Sequence, residues 1–505
     1  MRRAAQHYST REAIVYNDQR LTFAEAWARG VKLANALLAM GLQPGDRVGV
    51  LEDNSVQAAD FFQAAAIANL VRVPLYPRNG RSAHLHMLGH TDCRAVLVSA
   101  VHAHEIQEIG ADLPGLEHVV VRDDSYEEWL AQQSDVDPDV TIEPDNYFII
   151  RHTGGTTGLS KGVAYTHKAW LAAGRDWFYT FPPVEPGDKC LHLGPISHGS
   201  GYQYLPIWLA GGCNVMVDHF ETSETLALME REQINFCFMV PTMVNAVVHD
   251  DQAWARDFSA LKCLLVAAAP IQDATALAAR KLFGDALYQG YGQTEVLPIS
   301  MMNSAQWFAS IEGSNPLRAC GLALPFAEVQ IWDEENNPLP ANEVGEIVAR
   351  SDGMMTEFWN NPEATAERMV DGWIKTGDLG KLDANGYLYV VDRADDMIIS
   401  GGVNIYPAEI EAVIAEHDGV ADVSVIGVPN EEFGEEVKAI VECSNGYIGD
   451  EDFVREILQL CNSKLAGYKR PKSVDFIDQL PRTGTGKILK RTLREPYWEG
   501  HERQI

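Results

Sequence analysis

Residues 147–162 read YFIIRHTGGTTGLSKG, an apolar segment followed by a loop rich in glycine and threonine. The apolar residues predict a buried β-strand, and the glycines let the backbone turn tightly, so that successive N–H groups can point at one anion. Threonine hydroxyls and the charge of Lys161 also suit a loop that binds phosphate. A Walker A loop is excluded, because it requires Gly-Lys before Ser or Thr and the order here is Lys161-Gly162.

Short apolar segments alternate with helical patterns around this loop. Thr22 and Glu25 predict a capping box at the start of a helix, and an alanine-rich helix is predicted near 56–69. Alternating strands and helices predict an α/β fold with parallel pairing. The predicted early strands are RVGVL (47–51), VRVPLY (71–76), AVLVS (95–99) and HVVV (118–121).

The pattern changes after Arg393. A helix, two strands (VSVIGV and EVKAIVEC), a second helix and the strand SVDFI follow, with the helices predicted at 407–416 and 451–465. We therefore predict two domains. Residues 1–394 form a large N-terminal domain of parallel-rich sheets with helices, and residues 395–505 form a small, mobile α+β C-terminal domain.

The composition, 46% apolar and 22% charged over 505 residues, is typical of a globular protein with more than one domain. A net charge of −31 argues against nucleic-acid binding over the general surface. No apolar run approaches the roughly 20 residues that span a bilayer, and the N-terminus lacks the apolar stretch of a secretory signal, so we expect a cytoplasmic protein. The eight cysteines are scattered singly, which predicts buried free thiols.

The loop resembles the phosphate loop of acyl-CoA synthetases and related adenylate-forming enzymes, which usually reads TSGTTGxPKG. Gly154 replaces Ser and Ser160 replaces Pro, and losing one hydroxyl should weaken the phosphate cradle without abolishing it. The resemblance covers nearly the whole chain, because further family motifs follow in the same order. They are YGQTE (291–295), GWIKTGDLG (372–380), YVVDRADDMIISGGVNIYPAEIE (389–411) and PRTGTGKILKR (481–491).

The resemblance implies roles for individual residues. Glu295 is the candidate ligand for Mg²⁺, Lys487 is the catalytic lysine between substrate carboxylate and α-phosphate, and Asp395 is the hinge between domains. Gly401 and Gly402 lie beside the pantetheine arm of coenzyme A. The implied nucleotide-binding residues are Thr153, Gly154, Gly155, Thr156, Thr157, Gly158, Lys161, Ala268, Ala269, Pro270, Tyr291, Gly292, Gln293, Thr294, Asp378 and Arg393.

The residues by themselves leave other interpretations open. The YGQTE segment can be a buried tyrosine followed by a helix cap, and Asp378 can cap a turn. Lys487 can be a solvated loop lysine. From 468 to 494 there are eight Lys or Arg against two Asp, a pattern usually explained by a solvated face and here also compatible with phosphate binding.

The implied acid pocket comprises residues 195–204, 240–243 and 267–270. His198, the candidate catalytic or gate residue, could equally be a structural histidine. None of the three segments contains Asp, Glu, Lys or Arg, which favours an apolar acid with a fatty, aryl, alicyclic or steroid side chain. An amino acid is disfavoured, because its ammonium group would need a carboxylate partner. The pocket residues are His198, Gly199, Tyr202, Val240 and Ala267.

We therefore predict an acid:CoA ligase that uses ATP, Mg²⁺ and coenzyme A. It forms an acyl-adenylate with release of pyrophosphate, and then a thioester with release of AMP. The main alternative is an acyl-AMP ligase that transfers its product to a free carrier protein. A luciferase-like oxidase and an inactive nucleotide-binding protein are further alternatives. A homodimer is common among members of the family.

Overall fold

The computed structural model describes residues 1–153, 160–393, 396–401, 403–430, 433–444, 446–482 and 488–499. The chain forms two compact units. The larger unit comprises Met1–Val329, Ala349–Ile374 and Asn385–Tyr387. The smaller unit comprises Gln330–Val348, Lys375–Ala384 and Leu388–Ile505. The smaller unit thus takes in segments before residue 394, and the domain boundary at 394/395 stays a prediction.

The helices follow the apolar periodicity of the sequence. The capping box of the second helix is present: Glu25 N donates to Thr22 Oγ1 at 3.2 Å, and Thr22 N donates to the Glu25 carboxylate at 2.8 Å. The helices are α1 (Arg2–His7), α2 (Phe23–Ala39), α3 (Val56–Ala68), α4 (Arg81–His90), α5 (Ala103–Gly110), α6 (Tyr126–Ala131), α7 (His167–Thr180), α8 (Gly201–Ala210), α9 (Thr222–Arg231), α10 (Pro241–Val248), α11 (Asp273–Phe283), α12 (Ser304–Trp307), α13 (Pro362–Arg368), α14 (Pro407–Ile414), α15 (Glu451–Lys464) and α16 (Lys490–Trp498).

The strands include each apolar segment that was predicted to be one. They are β1 (Glu12–Tyr16), β2 (Gln19–Thr22), β3 (Arg47–Leu51), β4 (Val71–Leu75), β5 (Ala95–Ser99), β6 (His118–Arg122), β7 (Tyr147–Thr153), β8 (Lys161–Thr166), β9 (Lys189–His192), β10 (Cys213–Met216), β11 (Phe236–Met239), β12 (Cys263–Val266), β13 (Leu287–Gln293), β14 (Val296–Asn303), β15 (Gly321–Ala323), β16 (Ala327–Trp332), β17 (Gly345–Ser351), β18 (Glu357–Phe358), β19 (Met369–Val370), β20 (Trp373–Leu382), β21 (Tyr387–Arg393), β22 (Ile398–Ser400), β23 (Val403–Ile405), β24 (Val420–Asn430), β25 (Gly434–Cys443) and β26 (Ser473–Ile477).

Two sheets build the larger unit. In one, the order is β15-β14-β13-β12-β11-β9-β10-β1-β2, and the neighbours from β13 to β1 are parallel. In the other, the order is β18-β8-β7-β4-β3-β5-β6, parallel from β7 to β6. Every residue of β4, β10 and β12 is buried, as expected for parallel strands covered by helices on both faces. The predicted α/β class with parallel pairing is confirmed.

The smaller unit has its own core. Strands β23, β22, β25 and β24 are successive neighbours, and β26 pairs in parallel with β25. Side chains of this sheet, of α14 and of α15 form one buried apolar cluster, which includes Ile398, Ile410 and Ile457. Strands β16, β17, β20 and β21 are also hydrogen-bonded to one another in that order. The predicted order of helices and strands after Arg393 is confirmed.

Gln289 and Gly290, which directly precede the YGQTE segment, lie inside β13, because both residues pair with β14. All eight cysteines carry free thiols, six of them buried, while Cys320 and Cys443 are partly exposed. Within the described ranges, no helix is long and apolar enough to cross a membrane.

Helices α2 and α3 pack closely at Gly30. A Cβ atom built on Gly30 would lie 2.4 Å from Cβ of Gln63. Gly30→Ala should therefore lower the free energy of unfolding by about 1–3 kcal/mol, because overpacking outweighs the higher helix propensity of alanine. Urea denaturation measures the change. Gly110→Ala is the matched control, because a Cβ there meets nothing within 4 Å. Equal effects of the two substitutions would contradict this account.

Candidate functional site

The segments predicted to bind the acid and the adenosine follow four neighbouring parallel strands. The segment around His198 follows β9, Val240 follows β11, and Ala267 follows β12 directly. Tyr291 lies near the end of β13, two residues before the last residue of that strand. Neighbouring parallel strands end at the same edge of a sheet, and ligands of open α/β sheets bind outside that edge. Four separate segments of the sequence are thus brought to one edge.

The two strands that flank the phosphate loop are antiparallel partners. Thr153 at the end of β7 pairs with Lys161 at the start of β8. Lys161 Nζ lies 5.2 Å from the centre of the Phe358 ring. The predicted residues Gly154–Gly158 lie outside the described residues. The hairpin therefore places the two described ends of the loop, a hydroxyl and an ammonium, side by side.

Hydrogen bonds tie this hairpin to the edge formed by the four strands. The Tyr165 hydroxyl, on β8, donates to the carbonyl oxygen of Thr294 at 2.7 Å. Burial raises the pKa of Tyr165 well above its usual range, so this phenol remains a donor. Arg151 Nη2, on β7, lies 3.1 Å from His198 Nδ1. The phosphate-loop strands, the YGQTE segment and the histidine segment therefore form one local structure in the larger unit.

Two side chains fix the orientation of the His198 ring. Arg151 Nη2 lies 3.1 Å from Nδ1 of His198. The Tyr76 hydroxyl lies 3.0 Å from the same nitrogen. The imidazole is therefore held in a defined orientation beside the strands of the phosphate loop.

Arg151 is a charged residue beside the acid pocket that belongs to none of the three segments assigned to it. Those segments contain no Asp, Glu, Lys or Arg, whereas β7 supplies a fully buried guanidinium that lies 4.3 Å from the centre of the Tyr202 ring. In the sequence, Arg151 is recognisable as a charged residue at the end of the apolar segment YFIIR. Tyr76, which follows β4, has no comparable signal.

The remaining pocket residues lie against aromatic side chains. Tyr202 stacks on Trp170 with 4.9 Å between ring centres. A Cβ atom on Gly199 would lie 3.4 Å from the Phe238 ring, so this position has little room for a side chain. Tyr202 and Phe238 both pack against a buried cluster that includes Trp177 and Leu297. The surroundings of the predicted pocket are mainly apolar and aromatic.

Glu295 occupies the turn between β13 and β14. Its side chain is buried, and Oε1 lies 3.7 Å from Arg368 Nη2. Among the residues that the structure describes, no group of three or more His, Cys, Asp or Glu could hold a metal ion. A hard ion bound by Glu295 would therefore take its other ligands from phosphate and water, as Mg²⁺ commonly does.

The predicted ribose contacts belong to the smaller unit. Asp378 and Arg393 face each other across β20 and β21, and Arg393 Nε lies 3.4 Å from Asp378 Oδ1. The interpretation of Asp378 as a turn residue is wrong, because it lies inside a strand. Gly401 has a φ of 58°, in the region that favours glycine. Asp395, Gly402 and Lys487 lie outside the described residues.

The basic segment 468–494 is not simply a solvated face. Lys490 Nζ lies 2.8 Å from Glu411 Oε1, and Arg494 Nη2 lies 2.9 Å from Asp396 Oδ1. Burial opposes the charge of Lys490, but the carboxylates of Glu411 and Asp392 outweigh it and raise its pKa. These two cations therefore neutralise acids of their own unit.

Comparison with known proteins agrees with this arrangement. The sequence model described as AMP-binding enzyme matches residues 1–359, and the model described as AMP-binding enzyme C-terminal domain matches residues 409–487. This chain belongs to the AMP-binding enzyme family. The first of these two matches, over residues 1–359, includes the phosphate loop, the pocket segments and YGQTE.

Individual members of the AMP-binding enzyme family are similar over almost their whole length. The chain is 35% identical to a feruloyl-CoA synthase of an Amycolatopsis species, with 96% of each protein covered. It is 33% identical to the long-chain-fatty-acid–CoA ligase FadD13 of Mycobacterium tuberculosis, covering 95% of this chain and 94% of that one. ATP-bound MatB from Rhodopseudomonas palustris superimposes with a TM-score of 0.89 at 28% identity, covering 99% of both chains. The predicted family, fold class and type of enzyme are confirmed.

Ala268 carries backbone strain in this AMP-binding enzyme. Its φ is +78°, a conformation that costs a residue with a Cβ roughly 1–2 kcal/mol. The AAAP run (267–270) departs here from the family's frequent glycine-containing version. The strain therefore falls in the segment that departs from the family pattern.

Ala268→Gly should raise the free energy of unfolding by about 1 kcal/mol, since glycine adopts positive φ without this strain. Thermal unfolding measures the shift. Ala269→Gly is the matched control, because Ala269 is also exposed and its φ is not positive. Glycine there relieves no strain and adds conformational entropy to the unfolded chain, so the free energy of unfolding should stay the same or fall. A destabilised Ala268→Gly protein would contradict the strain.

Proposed function

We propose that this chain is an acid:CoA ligase that activates an apolar carboxylic acid as its adenylate. The observation that carries the proposal is the convergence of the His198, Val240, Ala267 and Tyr291 segments on one sheet edge, hydrogen-bonded to the strands of the phosphate loop. Acid, adenosine and triphosphate then bind next to one another. Membership of the AMP-binding enzyme family supports the same reaction.

The first half-reaction joins two anions. A carboxylate oxygen of the acid attacks the α-phosphorus of ATP, and pyrophosphate leaves. Such a transfer depends mainly on positioning and on electrostatic stabilisation. Thr153, Lys161 and the loop between them bind the β- and γ-phosphates, and Lys487 bridges the carboxylate and the α-phosphate. Tyr291 to Thr294 and Ala268 to Pro270 contact the adenosine, while Asp378 and Arg393 contact the ribose.

Magnesium is the metal that the family implies, and Glu295 is the residue that would hold it. A single buried carboxylate beside phosphate oxygens suits an ion that keeps most of its ligands from substrate and water. When bound, the ion neutralises phosphate charge. Arg368 Nη2, 3.7 Å from Glu295 Oε1, pairs with that carboxylate and helps to orient it.

The second half-reaction requires a different acceptor. The thiol of coenzyme A attacks the acyl carbonyl, the carbon–oxygen bond to phosphate breaks, and AMP leaves. Gly401 and Gly402 leave room for the pantetheine arm, and Asp395 is the hinge about which the C-terminal domain, 395–505, moves between the two steps. We place the enzyme in the cytoplasm, and a homodimer is its proposed assembly.

The proposed acid is apolar, with a fatty, aryl, alicyclic or steroid side chain. Trp170, Tyr202 and Phe238 line the segments to which the acid is assigned. Arg151 supplies a buried cation that contacts the pocket residues His198 and Tyr202.

Lys487→Ala should slow adenylation by about 10²-fold or more, because a charge-stabilising donor is lost from the transition state. Acid-dependent exchange of pyrophosphate into ATP measures this step. Thioester formation from supplied acyl-adenylate should change little. Lys472→Ala, at an exposed lysine of the same domain, is the control and should leave both rates unchanged. Equal losses in the two half-reactions of Lys487→Ala would disprove the assignment.

Release of AMP, with ATP, Mg²⁺, coenzyme A and a graded series of acids, tests the substrate class. In an unbranched series kcat/KM should rise roughly fourfold per methylene until the pocket is filled, as expected for about 0.8 kcal/mol per buried CH₂. Consumption of short hydrophilic acids alone would rule out the apolar pocket. Pyrophosphate exchange without CoA-dependent AMP release would instead favour the acyl-AMP ligase that serves a carrier protein.

A further inference from the structure

Three histidines form a cluster beside the C-terminal end of the phosphate loop. His86 and His90 lie one turn apart on α4, with ring centres 5.4 Å apart and planes only 17° from parallel. His90 Nδ1 lies 3.3 Å from Nε2 of His152, on β7. His86 Nε2 lies 2.8 Å from the carbonyl oxygen of Ser160. The cluster thus connects α4 to β7 and to Ser160, the residue directly before β8.

The contact with Ser160 has a defined direction. A carbonyl oxygen can only accept, so His86 Nε2 carries the proton and donates. Burial, together with the neighbouring His90 and His86, lowers the pKa of His152 to about 3, so this ring is neutral. Burial and the proximity of His86 also lower the pKa of His90. His90 and His152 are thus joined by a hydrogen bond, His86 stacks on His90, and His86 is the member that reaches the loop.

Ser160 stands where the family's loop usually carries proline. Proline would fix φ near −65° and restrict the residue before it, whereas serine leaves this backbone free to rotate. The His86 hydrogen bond restrains the same residue from its other side, through the peptide unit that joins Ser160 to Lys161. Ser160 also precedes Lys161, so its carbonyl orients the backbone of the lysine assigned to phosphate. On the other side, Trp359 N donates to Gly162 O at 2.7 Å.

We propose that His86 is a positioning residue for ATP: its hydrogen bond to the Ser160 carbonyl replaces the rigidity of the missing proline and holds Lys161 ready for the triphosphate. This role rests on the proposed ATP-dependent function. It acts through the backbone, because His86 contacts the loop's carbonyl and not the reacting atoms.

The attachment of α4 does not depend on His86, which makes the role testable. Met87 and Leu88 of the same helix are buried in the core. His84 is also fully buried and bonds to Glu105 and, at 2.8 Å, to the carbonyl oxygen of Tyr76. His86 itself is only partly buried. Removing its imidazole therefore leaves the helix docked, while it releases the tie to Ser160 and the ring contacts with His90 and His152.

His86→Leu should raise the KM for ATP by about tenfold, the effect of losing one useful hydrogen bond, with a smaller change in kcat and an unchanged melting temperature. His86→Gln, whose amide can donate from a similar position, should restore KM to near the original value. His104→Leu is the matched control, because His104 is exposed and its ring bonds to the carbonyl oxygen of Val101, three residues earlier in the chain. ATP affinity by calorimetry, with the full-length chain, gives a readout independent of turnover.

The decisive variant combines His86→Leu with Ser160→Pro. Proline should recover most of the lost ATP affinity in the His86→Leu background and change little in the original protein, so the two effects are not additive. An unchanged KM in His86→Leu, an equal loss in His86→Gln, or no recovery with proline would each overturn the proposal. If the unaltered protein neither binds ATP nor exchanges pyrophosphate, the proposed function itself fails, which is a different outcome.

Discussion

The parallel pairing of β9, β11, β12 and β13 is the constraint on which the arrangement of the site depends. These strands are largely buried, so their register cannot shift without moving core side chains. Because they run in one direction, the chain leaves each of them at the same edge. Polar and aromatic residues that are up to about a hundred positions apart in sequence are thereby brought together by pairing alone.

The phosphate loop depends on a second constraint, the antiparallel pairing of β7 with β8. This hairpin lies in the other sheet of the larger unit, and side chains that leave its strands in opposite directions connect it to its surroundings. Tyr165 and Arg151 reach the segments at the edge of the four strands, while His152 faces α4. A rigid hairpin with partners on both sides gives the loop fixed ends, which suits a reaction that relies on positioning.

Local patterns allowed most of the fold to be predicted. The capping box of α2, the apolar strands and the motif order each depend on neighbouring residues, so they can be read from the sequence. Contacts between distant residues could not be read in that way: Arg151 and His198 are 47 positions apart, and His86 and Ser160 are 74 apart. The alternative interpretation of Asp378 as a turn residue arose because a glycine followed by an aspartate resembles a turn, whereas the pairing of β20 with β21 overrides that local preference.

The buried thiols have a chemical consequence for an enzyme of this kind. Cys190, Cys237 and Cys263 lie in β9, β11 and β12, the strands whose ends carry the site, and burial raises the pKa of all three. They remain protonated and enclosed, so they are poor nucleophiles. An activated acyl group generated at the strand ends meets no reactive thiolate from these strands. Self-acylation at these three positions is thereby suppressed, which leaves the activated acyl group to the incoming thiol substrate.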